Sequence, residues 1–235
     1  MLAFLKQSNR GLYDLTIRLI MLTIVAGMFV FIRIVYTRSI GYIFLIWNVF
    51  LAWLPLYFSL ICTNIKFKYK SCGYLVGLLW IIFYPNAPYV LTDFIHLSRY
   101  RFYEDIVYGE ISSSNFAIWY NFFLISIFII IGLVLSYVSL SIMHKYIREK
   151  YNTFIGWVFV VIISVLSGFA IYLGRFVRIN SWEIVTSPMK LIKIMISSFN
   201  LQALSFTALF GILTLFIYIS FFLMNKYYAD CAEMY

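Results

Sequence analysis

The sequence has 235 residues, of which 64% are hydrophobic, 21% aromatic and 11% charged, and its mean hydropathy is +0.93. A soluble domain carries about a quarter charged residues, so this composition excludes a soluble globular protein and predicts several membrane spans. The net charge of +9 is explained by basic residues at membrane ends, which set topology and contact anionic headgroups of membrane lipids. No nucleic-acid-binding module is recognisable, and we expect no nucleic acid partner.

Six apolar stretches are long enough to cross a bilayer, for which a helix needs about 20 mainly apolar residues. They lie at residues 12–35, 40–62, 73–91, 116–140, 154–174 and 203–224. Uninterrupted apolar runs of this length are typical of transmembrane helices rather than of transmembrane strands. The sequence therefore predicts an all-α integral membrane helical bundle of about six transmembrane helices, forming a single transmembrane domain over residues 1–235.

The distribution of lysine and arginine predicts the orientation of the spans. With six spans, both termini share one side of the membrane with the second and fourth connections. That side carries nine basic residues against seven on the other, leaving aside Arg18 and Arg33 in the first span. The clusters at residues 66–70 and 145–150 lie in short connections, where the positive-inside rule is most reliable. Both termini are therefore predicted to be cytoplasmic.

A polar segment at residues 84–96 ends the third span. Its two prolines, Pro85 and Pro88, lack a backbone donor and disfavour helical geometry in the residue before each of them. We therefore predict a proline-broken third helix in which Tyr84 and Ala87 are extended. Irregular backbone at membrane depth needs protein or a water-filled cavity around it, and broken helices form the binding sites of many transporters.

After the predicted break, Asp93 and His96 are three positions apart and would share a face of a renewed helix. A carboxylate beside an imidazole suits general acid–base chemistry, so both are candidate catalytic residues. Two ligands are too few for a metal site, which Glu104, Asp105 or Glu183 would have to complete; we predict neither a metal nor a cofactor. The alternative interpretation is that the proline-rich segment caps a helix and that Asp93 and His96 tie a loop to the bundle.

A second polar segment, residues 174–183, ends the fifth span. Arg175 and Arg178 are spaced to clamp a phosphate or carboxylate, because arginine binds oxyanions in a bidentate manner. The alternative is an ordinary girdle of snorkelling side chains at a span end. The candidate substrate-binding residues of the two polar segments are Asn86, Arg175, Arg178, Asn180, Trp182 and Glu183.

Three weaker patterns concern packing. Ser164 and Gly168 have the small-xxx-small spacing that permits close approach of two helices. Residues 188–199 predict a short amphipathic helix on the outer surface, before the last span. Three asparagines are expected to act as interhelical hydrogen-bond donors; they are Asn48, Asn115 and Asn121.

The strings Tyr-Pro-Asn-Ala-Pro-Tyr-x-Leu-Thr-Asp-Phe-x-His at residues 84–96 and Leu-Gly-Arg-Phe-x-Arg-x-Asn-Ser-Trp-Glu at residues 173–183 also carry a family resemblance. They resemble the uncharacterised bacterial membrane-protein family known as domain of unknown function 1361. The resemblance extends from about the second span to the sixth. It implies a multi-pass protein of a bacterial cytoplasmic membrane and implies no particular activity.

Three functional hypotheses follow from the two polar segments. The first is a protein of the cell envelope that handles an anionic or lipid-linked envelope substrate at a site facing away from the cytoplasm, as an enzyme would. The second is a component of a transporter or flippase whose broken third helix lines a translocation path. The third is a non-catalytic subunit that docks a membrane protein partner. The polar segments favour the first two, because a docking surface has no need of a broken helix beside an acid–base pair.

Overall fold

The computed structural model of the protein describes residues 10–64, 70–100, 102–106, 109–112, 115–179 and 186–232. The main chain forms eight α-helices in these ranges, interrupted by a 3-10 helix, a π-helical turn and a pair of short strands. In chain order the elements are α1 (Arg10–Thr37), α2 (Phe44–Asn64), α3 (Lys70–Phe83), α4 (Asn86–Tyr89), the 3-10 helix (Val90–Arg99), β1 (Tyr103–Ile106), β2 (Gly109–Ser112), α5 (Phe116–Lys150), α6 (Thr153–Tyr172), the π turn (Leu173–Val177), α7 (Pro188–Ser197) and α8 (Leu201–Ala232).

Six helical segments of the described chain are long and apolar enough to cross a membrane. They are Arg10–Thr37, Phe44–Thr63, Ser71–Arg99, Phe116–Lys150, Thr153–Val177 and Leu201–Ala232. Five of them contain the stretch predicted from hydropathy, extended at one or both ends by up to about ten residues; the second begins at Phe44, four residues after the predicted start at residue 40. The prediction of an all-α bundle with six membrane spans is confirmed, and the protein is a multi-pass membrane protein.

The third span is interrupted where the two prolines lie, as predicted. Helix α3 ends at a turn formed by Tyr84 and Pro85, and the chain continues through α4 into the 3-10 helix. The extended geometry predicted for Tyr84 and Ala87 is wrong. The amide of Tyr84 donates to the carbonyl of Trp80 at 2.8 Å, and the amide of Ala87, inside α4, donates to the carbonyl of Tyr84 at 3.0 Å. Pro88 lies in the first turn of α4. Amides in the first turn have no intrahelical acceptor, so the missing amide of proline costs no hydrogen bond there.

Two further elements lie in the connections between spans. Strands β1 and β2 form an antiparallel pair in which Tyr103 is opposite Ser112 and Ile106 is opposite Gly109. This hairpin is not predicted from the sequence. Helix α7 confirms the predicted helix before the last span and ends two residues earlier than residue 199.

The described part of the chain divides into two compact units. Unit 1 takes its residues from 1–50 and 90–132, and unit 2 takes its residues from 51–89 and 133–235. Helices α2 and α5 each continue from one unit into the other. The single transmembrane domain over residues 1–235 stays a prediction.

Close packing of α6 against α8 organises unit 2. A Cβ atom on Gly168 would overlap the carbonyl oxygen of Thr207 and lie 2.7 Å from the amide nitrogen of Gly211. In the opposite direction, a Cβ atom on Gly211 would lie 3.3 Å from the carbonyl oxygen of Ser164. The predicted role of Ser164 and Gly168 in close helix packing is confirmed, since only residues with little or no side chain fit at this crossing.

The core of unit 2 contains polar side chains in matched pairs. The indole of Trp80 donates to the hydroxyl of Ser139 at 2.8 Å, and the hydroxyls of Tyr84 and Ser136 lie 3.0 Å apart. Trp80, Tyr84 and Ser139 are fully or almost fully buried. Because unmatched polar groups are costly in an apolar interior, these bonds explain how α3 tolerates aromatic polar groups in a membrane bundle.

Candidate functional site

The carboxylate of Asp93 is buried in unit 1, with a relative exposure of 1%. It lies in the 3-10 helix, and the side-chain amide of Asn48 in α2 donates to its Oδ2 at 2.8 Å. The predicted role of Asn48 as an interhelical donor is thereby confirmed. A carboxylate inside a membrane-spanning segment is costly in solvation, which makes Asp93 a candidate functional residue. The donated hydrogen bond fixes the orientation of the carboxylate.

His96 follows Asp93 by one turn of the same helix. Side chains at positions i and i+3 of a 3-10 helix eclipse each other, so the two predicted catalytic residues share one helix face. The imidazole of His96 is half-buried and packs on the ring of Phe44 with the ring centroids 4.3 Å apart. The aromatic contact limits the rotation of the imidazole while leaving part of it accessible.

Unit 1 also contains a buried cation that sequence reasoning did not place in a site. Arg33, one turn before the end of α1, has a relative exposure of 9%. Its Nε donates to Oδ1 of Asn121 in α5 at 2.8 Å. Its guanidinium lies over the ring of Tyr42 at 3.8 Å from the centroid. Asn121 thus makes the predicted interhelical bond, but as an acceptor rather than a donor.

Tyr42 completes the surroundings of Arg33. Its hydroxyl donates to the hydroxyl of Tyr100 at 3.3 Å. Burial, together with that hydrogen bond, raises the pKa of Tyr42 above its ordinary value. The phenol therefore stays neutral at physiological pH, and its ring face offers Arg33 a cation–π contact without a proton transfer.

In unit 2, the two polar segments found in the sequence contact each other. The guanidinium carbon of Arg175 lies 4.9 Å from the ring centroid of Tyr89. A Cβ atom on Gly174 would lie 3.1 Å from Cε2 of that ring, so glycine permits the approach of Tyr89 to the π turn. Such π-helical insertions are frequent at functional sites because they re-aim side chains. Here the insertion presents Arg175 to an aromatic ring of the first polar segment.

Arg178 adopts an unusual backbone conformation at the end of the π turn. Its φ angle is 64°, in the left-handed region, and its amide donates to the carbonyl of Leu173. Glycine or asparagine is the usual residue at such a helix end. Arg178 is exposed, and residues held in such backbone conformations cluster at active sites and ligand clamps.

Asn86 and Asn115 have local roles. The side-chain amide of Asn86 donates to the carbonyl of Phe83 at 2.9 Å, which caps the end of α3. This contact favours the structural interpretation of the proline-rich segment at this one position. Asn115 accepts from the amide of Ala117 at 3.0 Å at the start of α5, a contact within its own helix end and not the interhelical one predicted.

The remaining candidates lie beyond what the structure describes. Asn180, Trp182 and Glu183 fall outside the described residues, so their predicted roles in substrate binding stay predictions. For Glu104 and Asp105, the structure describes only the backbone within β1. In the described ranges, His, Cys, Asp and Glu side chains form no group of three or more that could hold a metal ion.

The predicted site residues belong to two clusters. The Asp93 cluster, in unit 1, consists of Asp93 with Asn48 and His96 with Phe44. The Arg175 cluster, in unit 2, consists of Tyr89, Gly174 and Arg175, with Arg178 at the end of the same turn. Each cluster combines an ionisable side chain with an aromatic or amide partner that orients it.

Six membrane-crossing helices, two of which end in the polar segments, define a multi-pass membrane protein. Residues 47–217 match the family described as protein of unknown function DUF1361, and the chain belongs to that family. The matched range includes both clusters, apart from Phe44. No curated protein and no solved structure matches the chain.

Proposed function

We propose that the protein handles an anionic, lipid-linked substrate of a bacterial cell envelope, with Asp93 and His96 as its acid–base pair. The observation that carries this proposal is the burial of Asp93 in an apolar bundle, where Asn48 holds the carboxylate in one orientation. A carboxylate that served only to tie a loop could be replaced by a neutral polar group at lower cost in solvation. The position of the carboxylate one helical turn before a half-buried imidazole fits proton transfer.

Arg175 and Arg178 are the proposed anion-binding groups. The guanidinium of Arg175 lies against the ring of Tyr89. Arg178 follows one turn later, with its backbone in the left-handed region. Arginine binds phosphate and carboxylate oxygens with two parallel hydrogen bonds. An amphiphilic substrate with an anionic head suits a protein whose exposed surface is mostly apolar.

We also place the protein in a bacterial cytoplasmic membrane with both termini in the cytoplasm. The support is the pair of basic clusters in the second and fourth connections. In this orientation the ends of the third and fifth spans lie on the outer side. The site would then act on an envelope precursor after its translocation.

The interrupted third span favours a transporter or flippase component as a second candidate. The change from α-helix through a turn to a 3-10 helix within one span resembles the discontinuous helices that transporters use at their binding sites. In that case Asp93 and His96 would bind a coupled proton rather than catalyse a reaction.

Lipid analysis of source cells lacking the gene separates the two candidates. If the protein is an enzyme, we expect an anionic lipid-linked species to accumulate about tenfold in these cells, because its conversion stops. If the protein is a transporter, we expect the amount of that species to stay unchanged. Its accessibility to an impermeant reagent at the outer leaflet should change instead. If neither the amount nor the exposure of any anionic lipid-linked species changes, the proposed substrate class is wrong.

A further inference from the structure

Beside Arg33, unit 1 encloses a cavity of about 400 Å³ that the proposed function does not use. The cavity lies between the end of α1 and the start of α5, and the chain after the 3-10 helix closes one side. Its lining includes Ile32, Arg33, Tyr100, Phe116, Tyr120 and Asn121. The volume falls in the range of small-molecule sites, which are about 300–1,000 Å³.

The guanidinium of Arg33, which lines the cavity, lacks a full set of hydrogen-bond partners. Arg33 is nine-tenths buried, and its Nη1 has no hydrogen-bond partner within the part of the chain that the structure describes. Asn121 accepts only from Nε, and no carboxylate of the described residues pairs with Arg33. A buried cation without an anion is strongly unfavourable, so its surroundings are arranged to receive a negative charge.

The rest of the cavity is suited to an apolar chain. Ile32, Tyr36 and Phe116 border it, and their side chains are exposed by 53%, 83% and 76%. On a helix that crosses a membrane, exposed apolar side chains face lipid. The cavity is therefore bordered by lipid-facing residues on one side and by a guanidinium on the other.

We propose that this cavity binds an anionic amphiphile, with its phosphate or carboxylate on Arg33 and the start of its hydrocarbon chain along Ile32 and Phe116. Tyr42 and Asn121 hold the guanidinium in place through the ring face and Nε. The Nη1 donors remain for the ligand. This site is distinct from the Asp93 cluster and does not depend on the chemistry proposed there.

The test measures lipid binding by the full chain purified in detergent. Dioleoyl phosphatidic acid and dioleoylglycerol, which has the same chains and no phosphate, are titrated separately, and bound lipid is counted by native mass spectrometry. The expected result is about tenfold tighter binding of phosphatidic acid, the size of one charge-assisted hydrogen bond. Arg33→Gln should remove this preference. Arg18→Gln, which neutralises an exposed arginine of the same helix, should keep it.

A second variant keeps Arg33 and fills the cavity with a larger side chain. Ala117 lines the cavity, and Ala117→Trp should weaken phosphatidic acid binding about tenfold even if Arg33→Gln does not fold. Inorganic phosphate at the same concentration should not displace the lipid; displacement would show that the site takes a free anion and not an amphiphile. A preference that survives Arg33→Gln, or phosphatidic acid binding that Ala117→Trp leaves unchanged, would overturn the proposal.

Discussion

The side-chain amide of Asn48 donates a hydrogen bond of 2.8 Å to the buried carboxylate of Asp93, and so joins α2 to the 3-10 helix within unit 1. The two residues are far apart in the sequence, and no periodic pattern in the sequence predicts that they contact each other. The bond links a candidate catalytic group to a second element of the bundle.

Replacing Asn48 by alanine should lower the stability of the folded protein. The change removes one donor from a buried carboxylate and should decrease the free energy of unfolding by about 1–2 kcal/mol. The measurement is the thermal unfolding midpoint in detergent. Asn115→Ala, which removes a hydrogen bond to the backbone at the exposed start of α5, is the matched control and should have a smaller effect. Equal shifts for the two variants would contradict the role of Asn48.

Replacing Gly168 by alanine should disrupt the packing of α6 on α8. The added Cβ atom would meet backbone atoms of Thr207 and Gly211, which cannot move aside as a flexible side chain can. We expect a loss of at least about 2 kcal/mol of stability or a failure to accumulate in the membrane.

Gly77 is the control for this prediction, because a Cβ atom there would meet nothing within 4 Å. Gly77→Ala should leave the unfolding midpoint and the membrane abundance unchanged or slightly increased, since alanine favours helix. If Gly168→Ala is as stable as Gly77→Ala, the helix crossing described here is incorrect.

The contact between Tyr89 and Arg175 should depend on the aromatic ring and not on the phenol hydroxyl. Tyr89→Phe should therefore retain the cation–π contact. Tyr89→Leu should lose about 0.5–2 kcal/mol in the free energy of unfolding. Arg175→Gln should lose a similar amount, and the double variant should lose no more than either single variant. Additive losses would show that the two side chains do not interact.

The predicted orientation can be checked with an impermeant maleimide on intact cells. In a background in which Cys62, Cys72 and Cys231 are replaced by serine, Ser39→Cys lies in the first connection and Tyr151→Cys in the fourth. Both positions are exposed. Labelling at residue 39 and not at residue 151 is expected if the termini are cytoplasmic. The reverse pattern would invert the topology and place the ends of the third and fifth spans in the cytoplasm.

The architecture could be predicted from the sequence because hydropathy over about 20 residues is a strong signal. Each of the six spans was located, as was the interruption at Pro85. The geometry of that interruption could not be predicted, because the preference for extended backbone before proline is weaker than the hydrogen bonds that Tyr84 and Ala87 make in a turn and a short helix.

The polar sites were only partly predictable. Asp93 and His96 stand out as ionisable residues at a span end, and their shared helix face follows from their spacing. Arg33 resembles an ordinary snorkelling arginine near a span end, and only the three-dimensional contacts with Tyr42 and Asn121 show that it is buried. The substrate-binding role of Asn86 stays a prediction; in the structure its side-chain amide donates to the carbonyl of Phe83, and no spacing rule separates the two roles.

The most direct test of the proposed function is the Asp93→Asn variant in source cells that lack the wild-type gene. Asparagine has the shape of aspartate and can still accept from Asn48, so the fold and the membrane abundance should be retained while the ionisable group is lost. Glu149→Gln, at an exposed ion pair with Lys145, is the matched control. We predict that cells with Asp93→Asn show the same change in the anionic lipid-linked species as the deletion, and that Glu149→Gln restores the wild-type amount and exposure. Full restoration by Asp93→Asn would contradict the central role of this carboxylate.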